Sequence, residues 1–466
     1  MSKKPEHIME KIASLAKQRG FIYPGSEIYG GLQNSWDYGP LGVELKNNIK
    51  ALWWEMFVHH REDIVGIDAA LIMNPKVWAA SGHITEFSDP LVECKKCHAR
   101  CRADHVQDVR QKFGKAKTQL NTLTQGEKDL WFCDGKKEEH DFTPPKDFNM
   151  MFRTHLGPIE SDENIVYLRP ETAQAIFVDF KNVLQTSRKT IPFGIAQIGK
   201  AFRNEITPGN YIFRTREFEQ MEIEYFIAPP AQDKDWEEYF DAWVKDMHAW
   251  INVVGIDQKK IHEFDVPKKE LAHYSKKTVD FEFDFPFGKS ELYGLAYRTD
   301  FDLKQHEEHS GQNMKYRDQE TNQEYTPHVI EPSLGVDRTV LAVLCSAYTE
   351  EGEGDNRREL LKLAPAIAPY KVAVFPLLKN KPELVKKARD VYDALKRSYS
   401  VAWDERGNVG KRYYSQDQIG TPYCVTVDFD TIEKGAVTVR DRDTTKQDSV
   451  HVEELSAYLD EKLTRA

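Results

Sequence analysis

The run Phe218-Glu219-Gln220-Met221-Glu222-Ile223-Glu224-Tyr225-Phe226 alternates with the two-residue period of a β-strand. Successive side chains of a strand point to opposite faces. Met221, Ile223 and Tyr225 therefore give one face an ordinary apolar core character. Gln220, Glu222 and Glu224 occupy the other face, between Phe218 and Phe226. Upstream lie Phe202-Arg203-Asn204-Glu205, a Pro208-Gly209 loop, Arg214 and Arg216. Acids flanked by aromatics, after a loop holding several arginines, predict the floor and lid of a site for a ligand of both signs. Guanidinium forks suit phosphates, and carboxylates suit an ammonium.

The chain has 466 residues, enough for two or three domains with large cores. A formal net charge of −11 argues against non-specific coating of nucleic acid, while leaving room for a specific RNA met through local basic patches. Six cysteines in so long a chain do not make a disulfide framework. Met1–His7 has no apolar core behind it, and no apolar run approaches a membrane span. The expectation is a cytoplasmic protein with no membrane partner.

Ile8, Ile12 and Leu15 mark a first amphipathic helix, followed by a loop containing Gly25, Gly30 and Gly31. After Pro40, the residues Leu41, Leu45, Ile49, Leu52 and Met56 predict a long helix whose apolar stripe is widened by Trp53, Trp54 and Phe57. That width fits a subunit interface as well as a core. The N-terminal part of a catalytic core is assigned to residues 1–90, and a polar, lysine-rich insertion with clustered cysteines to 91–146. The core resumes over 147–363, with a second insertion at about 230–285 and a helix beginning near Gly335. Glu350–Asp355 reads as a solvated loop and Ala364–Pro369 as a linker. Strands over Lys371–Pro376, Val401–Trp403, Tyr423–Phe429 and Ala436–Arg440, with helices over Pro382–Arg397 and Val452–Leu463, predict a separate α/β domain spanning 367–466.

Arg203 in Phe-Arg-Asn-Glu, Arg214-x-x-x-Phe218, and Gly335-Val336-Asp337-Arg338 resemble motifs 2 and 3 of the class II aminoacyl-tRNA synthetases. The helix after Gly39-Pro40 resembles motif 1, the dimer element. Arg169-Pro170-Glu171-Thr172-Ala173-Gln174, Phe218–Glu222 and Glu331-Pro332-Ser333-Leu334-Gly335 narrow the resemblance to the homodimeric glycyl type of that family. The resemblance implies an α+β fold: an antiparallel-sheet catalytic core with insertions, then a C-terminal α/β anticodon-binding domain. It also implies activation of glycine with ATP to glycyl-adenylate and transfer to the 3′ end of tRNA(Gly), releasing AMP and pyrophosphate.

Negative charge accumulates on phosphorus oxygens in such an activation, so preorganised guanidinium groups are its main requirement. By resemblance, Arg203 bridges the glycine carboxylate and the α-phosphate, and Arg214 and Arg338 hold the outer phosphates. Phe218 stacks under adenine, Glu205 accepts from its exocyclic amine, and Glu291 helps hold Mg²⁺. Asn204, Phe213, Thr215, Arg216, Glu217, Leu292, Gly335, Val336 and Asp337 complete the ATP set. Glycine offers no side chain to grasp, so its ammonium and the exclusion of a Cβ must carry recognition. Glu171, Glu222 and Glu331 are the candidate ammonium ligands, with Ser333 as a small wall. Arg102, Phe218, Glu219, Gln220, Met221, Pro332, Leu334 and Gly335 fall in the same implied glycine set.

Cys94-x-x-Cys97 is half of a zinc knuckle, and Cys133 supplies a third thiolate. Lys136 stands where a second Cys-x-x-Cys would be completed, so His140, Cys101 or His98 is left as the fourth ligand of a structural zinc. Lys411, Arg412, Tyr413 and Tyr414 form a basic and aromatic patch suited to unstacked RNA bases. His83, His105, His155 and His328 read as ordinary satisfied histidines. The alternatives are a synthetase for another amino acid and a non-catalytic nucleic-acid-binding relative. The three glutamates with Ser333 weigh against the first, and Arg203, Arg214 and Arg338 against the second.

Overall fold

A computed structural model of the chain describes residues 6–113, 128, 130–133, 138–232, 234–352 and 357–464. Its central element is a seven-stranded sheet. In chain order the strands are β1 (Ile64–Gly66), β2 (Phe193–Phe202), β3 (Glu217–Ile227), β4 (Ile261–Asp265), β5 (Lys277–Phe285), β6 (Gly288–Thr299) and β7 (His328–Gly335). Across the sheet they run β4-β5-β6-β7-β3-β2-β1, with every neighbouring pair antiparallel except β1 and β2. The alternation of β3 sorts its side chains as its sequence requires. Met221, Ile223 and Tyr225 join Trp243, Met247 and Trp250 in the main apolar core. The helix Ala173–Ser187 closes part of the opposite face by packing Phe177 and Phe180 on Phe226 of β3, leaving Gln220 and Glu222 beside a cleft.

The helix Pro40–Trp54 starts with proline in its first turn, where the missing N–H costs nothing. A Cβ on Gly42 would lie 1.8 Å from the Phe21 carbonyl oxygen, so only glycine allows this helix to approach the preceding segment so closely. Trp53 is fully buried and packs on Trp54 and Phe57, so it belongs to the core rather than to an outward interface. The most exposed apolar residues lie in the segment before the helix, where Ile28 is 88% and Tyr29 is 87% exposed.

The stretch 230–285, expected as a second insertion, is part of the central layer. Its helix Glu237–Val253 buries Phe240, Trp243, Met247, Trp250 and Ile251, and its strands β4 and β5 are members of the sheet. Glu350 and Glu351, expected in a solvated loop, instead end the strand Tyr348–Glu351, which directly follows the helix Val336–Ala347 and pairs antiparallel with Arg358–Leu361. Residues 353–356 and much of 91–146, including Lys136, lie outside the described residues.

The terminal domain holds five strands ordered Val401–Trp403, Val372–Pro376, Tyr423–Val427, Ala436–Asp441 and Gln447–His451. The first three are mutually parallel and the rest antiparallel, which makes the sheet mixed as expected. Among the described residues, no helix is long and apolar enough to cross a membrane.

Candidate active site

The loop between β2 and β3, the start of β3, and the β7–helix junction converge on two adjoining cavities of about 150 and 290 Å³. Arg203, Glu205, Phe213, Arg214, Phe218 and Arg338 line the smaller one. Glu171, Glu222, Asp280, Arg298 and Glu331 line the larger. Arg203, Gln220, Glu291 and Ser333 line both, so they form the boundary between the two.

Carbonyls and ring faces hold Arg203 and Arg338 in the smaller cavity, and a carboxylate also stands beside Arg338. Arg203 Nε donates to the Pro170 carbonyl at 3.0 Å, and its guanidinium lies 5.4 Å from the ring centroids of both Phe87 and Phe218. Arg338 Nη1 donates to the Glu291 carbonyl at 3.0 Å, and its guanidinium lies 4.6 Å from the Phe213 ring. Carbonyls and ring faces fix a guanidinium without cancelling its charge. Arg338 Nη1 also stands 3.3 Å from Glu291 Oε1, and its charge holds the Glu291 carboxyl below the usual range. Glu205 Oε2 and Gln220 Oε1 are buried acceptors with no partner among the described residues. Such orphans in a cleft mark where a ligand donor fits.

The larger cavity is built across the sheet. Gln197, Glu222, Ser333, Gly294 and Asp280 form one cross-strand row over β2, β3, β7, β6 and β5. Open space lies where a Cβ on Gly294 would project. Glu222 Oε1 accepts from Ser333 Oγ at 2.7 Å and from Gln220 Nε2 at 2.8 Å, while Oε2 accepts from the Thr172 N–H at 3.0 Å and from its hydroxyl. Glu331 accepts from Arg298 Nη1 through both oxygens, at 2.9 and 3.0 Å. Arg298 in turn binds both oxygens of Asp302 and lies 3.9 Å from the Tyr274 ring centroid. Glu171 accepts from Gln174 Nε2 at 3.0 Å and faces His83 Nε2 at 3.5 Å. Burial, together with the Glu331 and Glu222 charges, pushes the Glu224 carboxyl beneath the cavity well above its ordinary range. Burial and the Glu291 charge push Asp280 up to about 7.

Arg298, Asp280, Thr172 and Gly294 escaped sequence reasoning. An arginine inside the apolar run Leu292–Thr299 is the signal that could have found the first.

Strand alternation divides the implied site sets. Met221, Leu334 and Val336 are core residues and do not reach either cavity. Pro332 is buried opposite Leu295 in β6. The Glu219 carboxylate is claimed by Lys46 at 2.6 Å and Lys50 at 3.2 Å. Asp337 accepts from Lys46 Nζ at 3.0 Å, Tyr38 Oη at 2.5 Å and the Glu219 N–H at 2.8 Å. These two acids therefore tie the motif-like segments to the helix Pro40–Trp54 rather than offering free ligand positions. Thr215, Leu292 and Gly335 line the smaller cavity. Arg216 and Glu217 face a neighbouring cavity beside Trp36 and Lys200. The Asn204 N–H donates to Met150 O at 2.8 Å. Arg102 is engaged by Asp89 at 2.8 Å and Asp104 at 2.7 Å and lines neither cavity.

Cys94, Cys97, Cys133 and His140 offer ligand atoms that all lie within 4.8 Å of one another. Cys94 and Cys133 sulfurs are 3.7 Å apart, close to the ~3.8 Å edge of a tetrahedron with Zn–S bonds of about 2.3 Å. His140 Nδ1 is 3.4 Å from both Cys97 Sγ and Cys133 Sγ. Of the three candidates for a fourth ligand, geometry selects His140. Cys101 is buried in an apolar cluster with Val92 and Val106, and His98 faces Glu93 at 3.1 Å.

In the terminal domain, Arg412 is buried and donates to the carbonyls of Pro376, Glu405, Arg406 and Gly407. It braces loops and does not belong to an RNA-facing patch. Tyr413 is likewise committed, to Thr426 Oγ1 at 2.6 Å, whereas Lys411 and Tyr414 are exposed.

An antiparallel sheet carrying an arginine-rich hairpin and a terminal arginine helix over a divided cleft defines a class II aminoacyl-tRNA synthetase. Residues 152–347 match the tRNA synthetase class II core domain (G, H, P, S and T), and residues 371–462 match the anticodon binding domain. The prolyl-tRNA synthetase of Cryptosporidium parvum has a similar fold, with a TM-score of 0.65 at 14% identity, covering 100% of this chain and 79% of that one. Glycine--tRNA ligase of Alkaliphilus oremlandii is 52% identical over 98% of this chain and 99% of its own length. That of Geobacillus thermodenitrificans is 52% identical over 98% and 97%. The chain belongs to the glycine--tRNA ligase family.

Proposed function

We propose that this protein activates glycine with ATP and transfers it to tRNA(Gly). The observation that carries the reading is the position of Arg203, which lines both cavities and is held by a neutral carbonyl and two aromatic faces. One guanidinium at that boundary reaches a carboxylate on one side and an α-phosphate on the other. In this reading Arg214 and Arg338 bind the outer phosphates, Phe218 stacks on adenine, and the orphaned Glu205 Oε2 accepts from its amine. Glu222, Glu171 and Glu331 take the glycine ammonium, and Ser333 limits the space beyond its α-carbon. Catalysis is positioning plus charge stabilisation, and no side chain need form a covalent bond.

Mg²⁺ is a hard cation that neutralises phosphate charge when bound. Glu291, kept ionised by Arg338, would hold it, with Asp280 on the paired strand β5 as the second carboxylate. A structural zinc would be held by Cys94, Cys97, Cys133 and His140. Metal analysis of the purified protein should find about one zinc per chain, lost in Cys94→Ser; a metal-free native protein would refute the assignment. The exposed Ile28, Tyr29 and Leu32 favour burial against a second copy. Sedimentation should give a dimer that Tyr29→Asp weakens. The six free cysteines suit a reducing cytoplasm.

The function is tested by ATP–pyrophosphate exchange with each amino acid. Glycine alone should support it. Exchange driven best by serine or alanine, or none at all, would overturn the reading.

A further inference from the structure

The helix Val409–Ile419 has two unlike ends. Near its start, Lys411 and Tyr414 are exposed. Its last turn is built into the catalytic core: Ile419 joins the main apolar cluster with Leu361 and Leu363. Gly420 caps this helix with φ +81°, and a Cβ there would lie 2.5 Å from Leu363 Cδ1 and 3.2 Å from the Leu361 carbonyl oxygen. Beside this contact, Asp417 is 2% exposed. Its carboxylate receives Arg440 at 2.8 and 2.9 Å from within the terminal domain and Arg358 Nη1 at 3.0 Å from the core hairpin. Arg358 is itself fixed by Glu351 Oε2 at 3.0 Å across the hairpin and by the Arg442 carbonyl at 3.2 Å. The hairpin continues the helix Val336–Ala347, whose first turn carries Arg338.

We propose that Arg358 is a positioning residue for the tRNA-dependent half of the reaction, setting the angle between the terminal domain and the adenylate pocket through Asp417. This rests on the function proposed above. A tRNA held at both ends must span a fixed distance, so rotation at this joint displaces the reacting ribose while leaving the glycine and ATP contacts intact. A 1 Å misplacement of reacting atoms costs about 10²-fold in rate. Arg440 still pairs with Asp417 when Arg358 is replaced, so the buried carboxylate keeps a partner.

The test compares the two half-reactions in Arg358→Gln and Arg358→Lys, using the full chain. Glycine-dependent pyrophosphate exchange should stay within about twofold of the unsubstituted protein, which also reports that the core is folded. Single-turnover transfer from preformed adenylate to tRNA(Gly) should fall by about tenfold or more in Arg358→Gln, with KM for tRNA little changed, and should recover partly in Arg358→Lys. Equal losses in exchange and transfer, or a transfer rate that does not fall, would overturn the proposal. Failure of the unsubstituted protein to exchange with glycine would instead overturn the functional reading.

Discussion

The two cavities treat buried charge in opposite ways. In the smaller one, carbonyls of Pro170 and Glu291 and the rings of Phe87, Phe213 and Phe218 hold Arg203 and Arg338. In the larger one, Glu222 is held by neutral hydroxyl, amide and main-chain donors, but Glu331 is gripped by a full guanidinium and burial pushes the Glu224 carboxyl well above its ordinary range. The difference follows from what each side must keep available. A phosphate binder needs uncompensated positive charge, so the supports of Arg203 are neutral, while Arg338 also faces the Glu291 carboxylate at 3.3 Å. Several acids crowded together would repel one another, and Arg298 offsets part of that excess while Glu222 is left to neutral donors.

Arg203→Ala removes the group common to both cavities and should lower glycine-dependent pyrophosphate exchange by about 10³-fold or more, seen chiefly in kcat. A variant with near-normal exchange would erase the boundary on which the comparison stands. Glu222→Gln acts on one side only. It should raise KM for glycine by about 10²-fold with a much smaller change in KM for ATP. Its amide must also turn an NH₂ toward donors, whether Ser333 and Gln220 or Thr172.

The third prediction concerns Asp280. Its folded value of about 7 lies above the ordinary carboxyl value, so the folded state binds more protons than the unfolded chain between those values. Stability of the ligand-free protein therefore falls as pH rises from about 4 to 7. After a discount for partial solvent screening, Asp280→Asn should raise the unfolding free energy above pH 7 by about 1 kcal/mol and flatten that slope in urea titrations. An unchanged pH profile would mean that the acid excess near β5 is already neutralised. Smallest is Lys411→Ala, expected to weaken tRNA binding by about threefold and to reduce its salt slope by about 1, with exchange untouched.

The alternation of Phe218–Phe226 let the sequence place Glu222 beside a cleft and Ile223 in the core. The same rule, applied one step further, removes Met221 and Leu334 from the cleft, because a motif matched as a continuous run says nothing about which side each residue faces. Arg298 stayed hidden for a different reason. Its meaning depends on Glu331 and Asp302, which the fold brings to it. In the terminal domain, Arg412, Gln416 and Ile419 recur at helical spacing and are all buried, yet two of the three are polar, so the inward stripe did not read as one. Gln447–His451 is a strand with Val450 as its sole buried residue, and nothing apolar marks it as part of a sheet.

The two-sided burial of β3 also bears on how such a chain can change over time. Inserting or deleting one residue within it would exchange the places of Glu222 and Ile223, drowning a charge in oil and exposing a hydrocarbon to substrate. Divergence along this strand must proceed by replacement at constant length, leaving gain and loss of residues to the outlying loops.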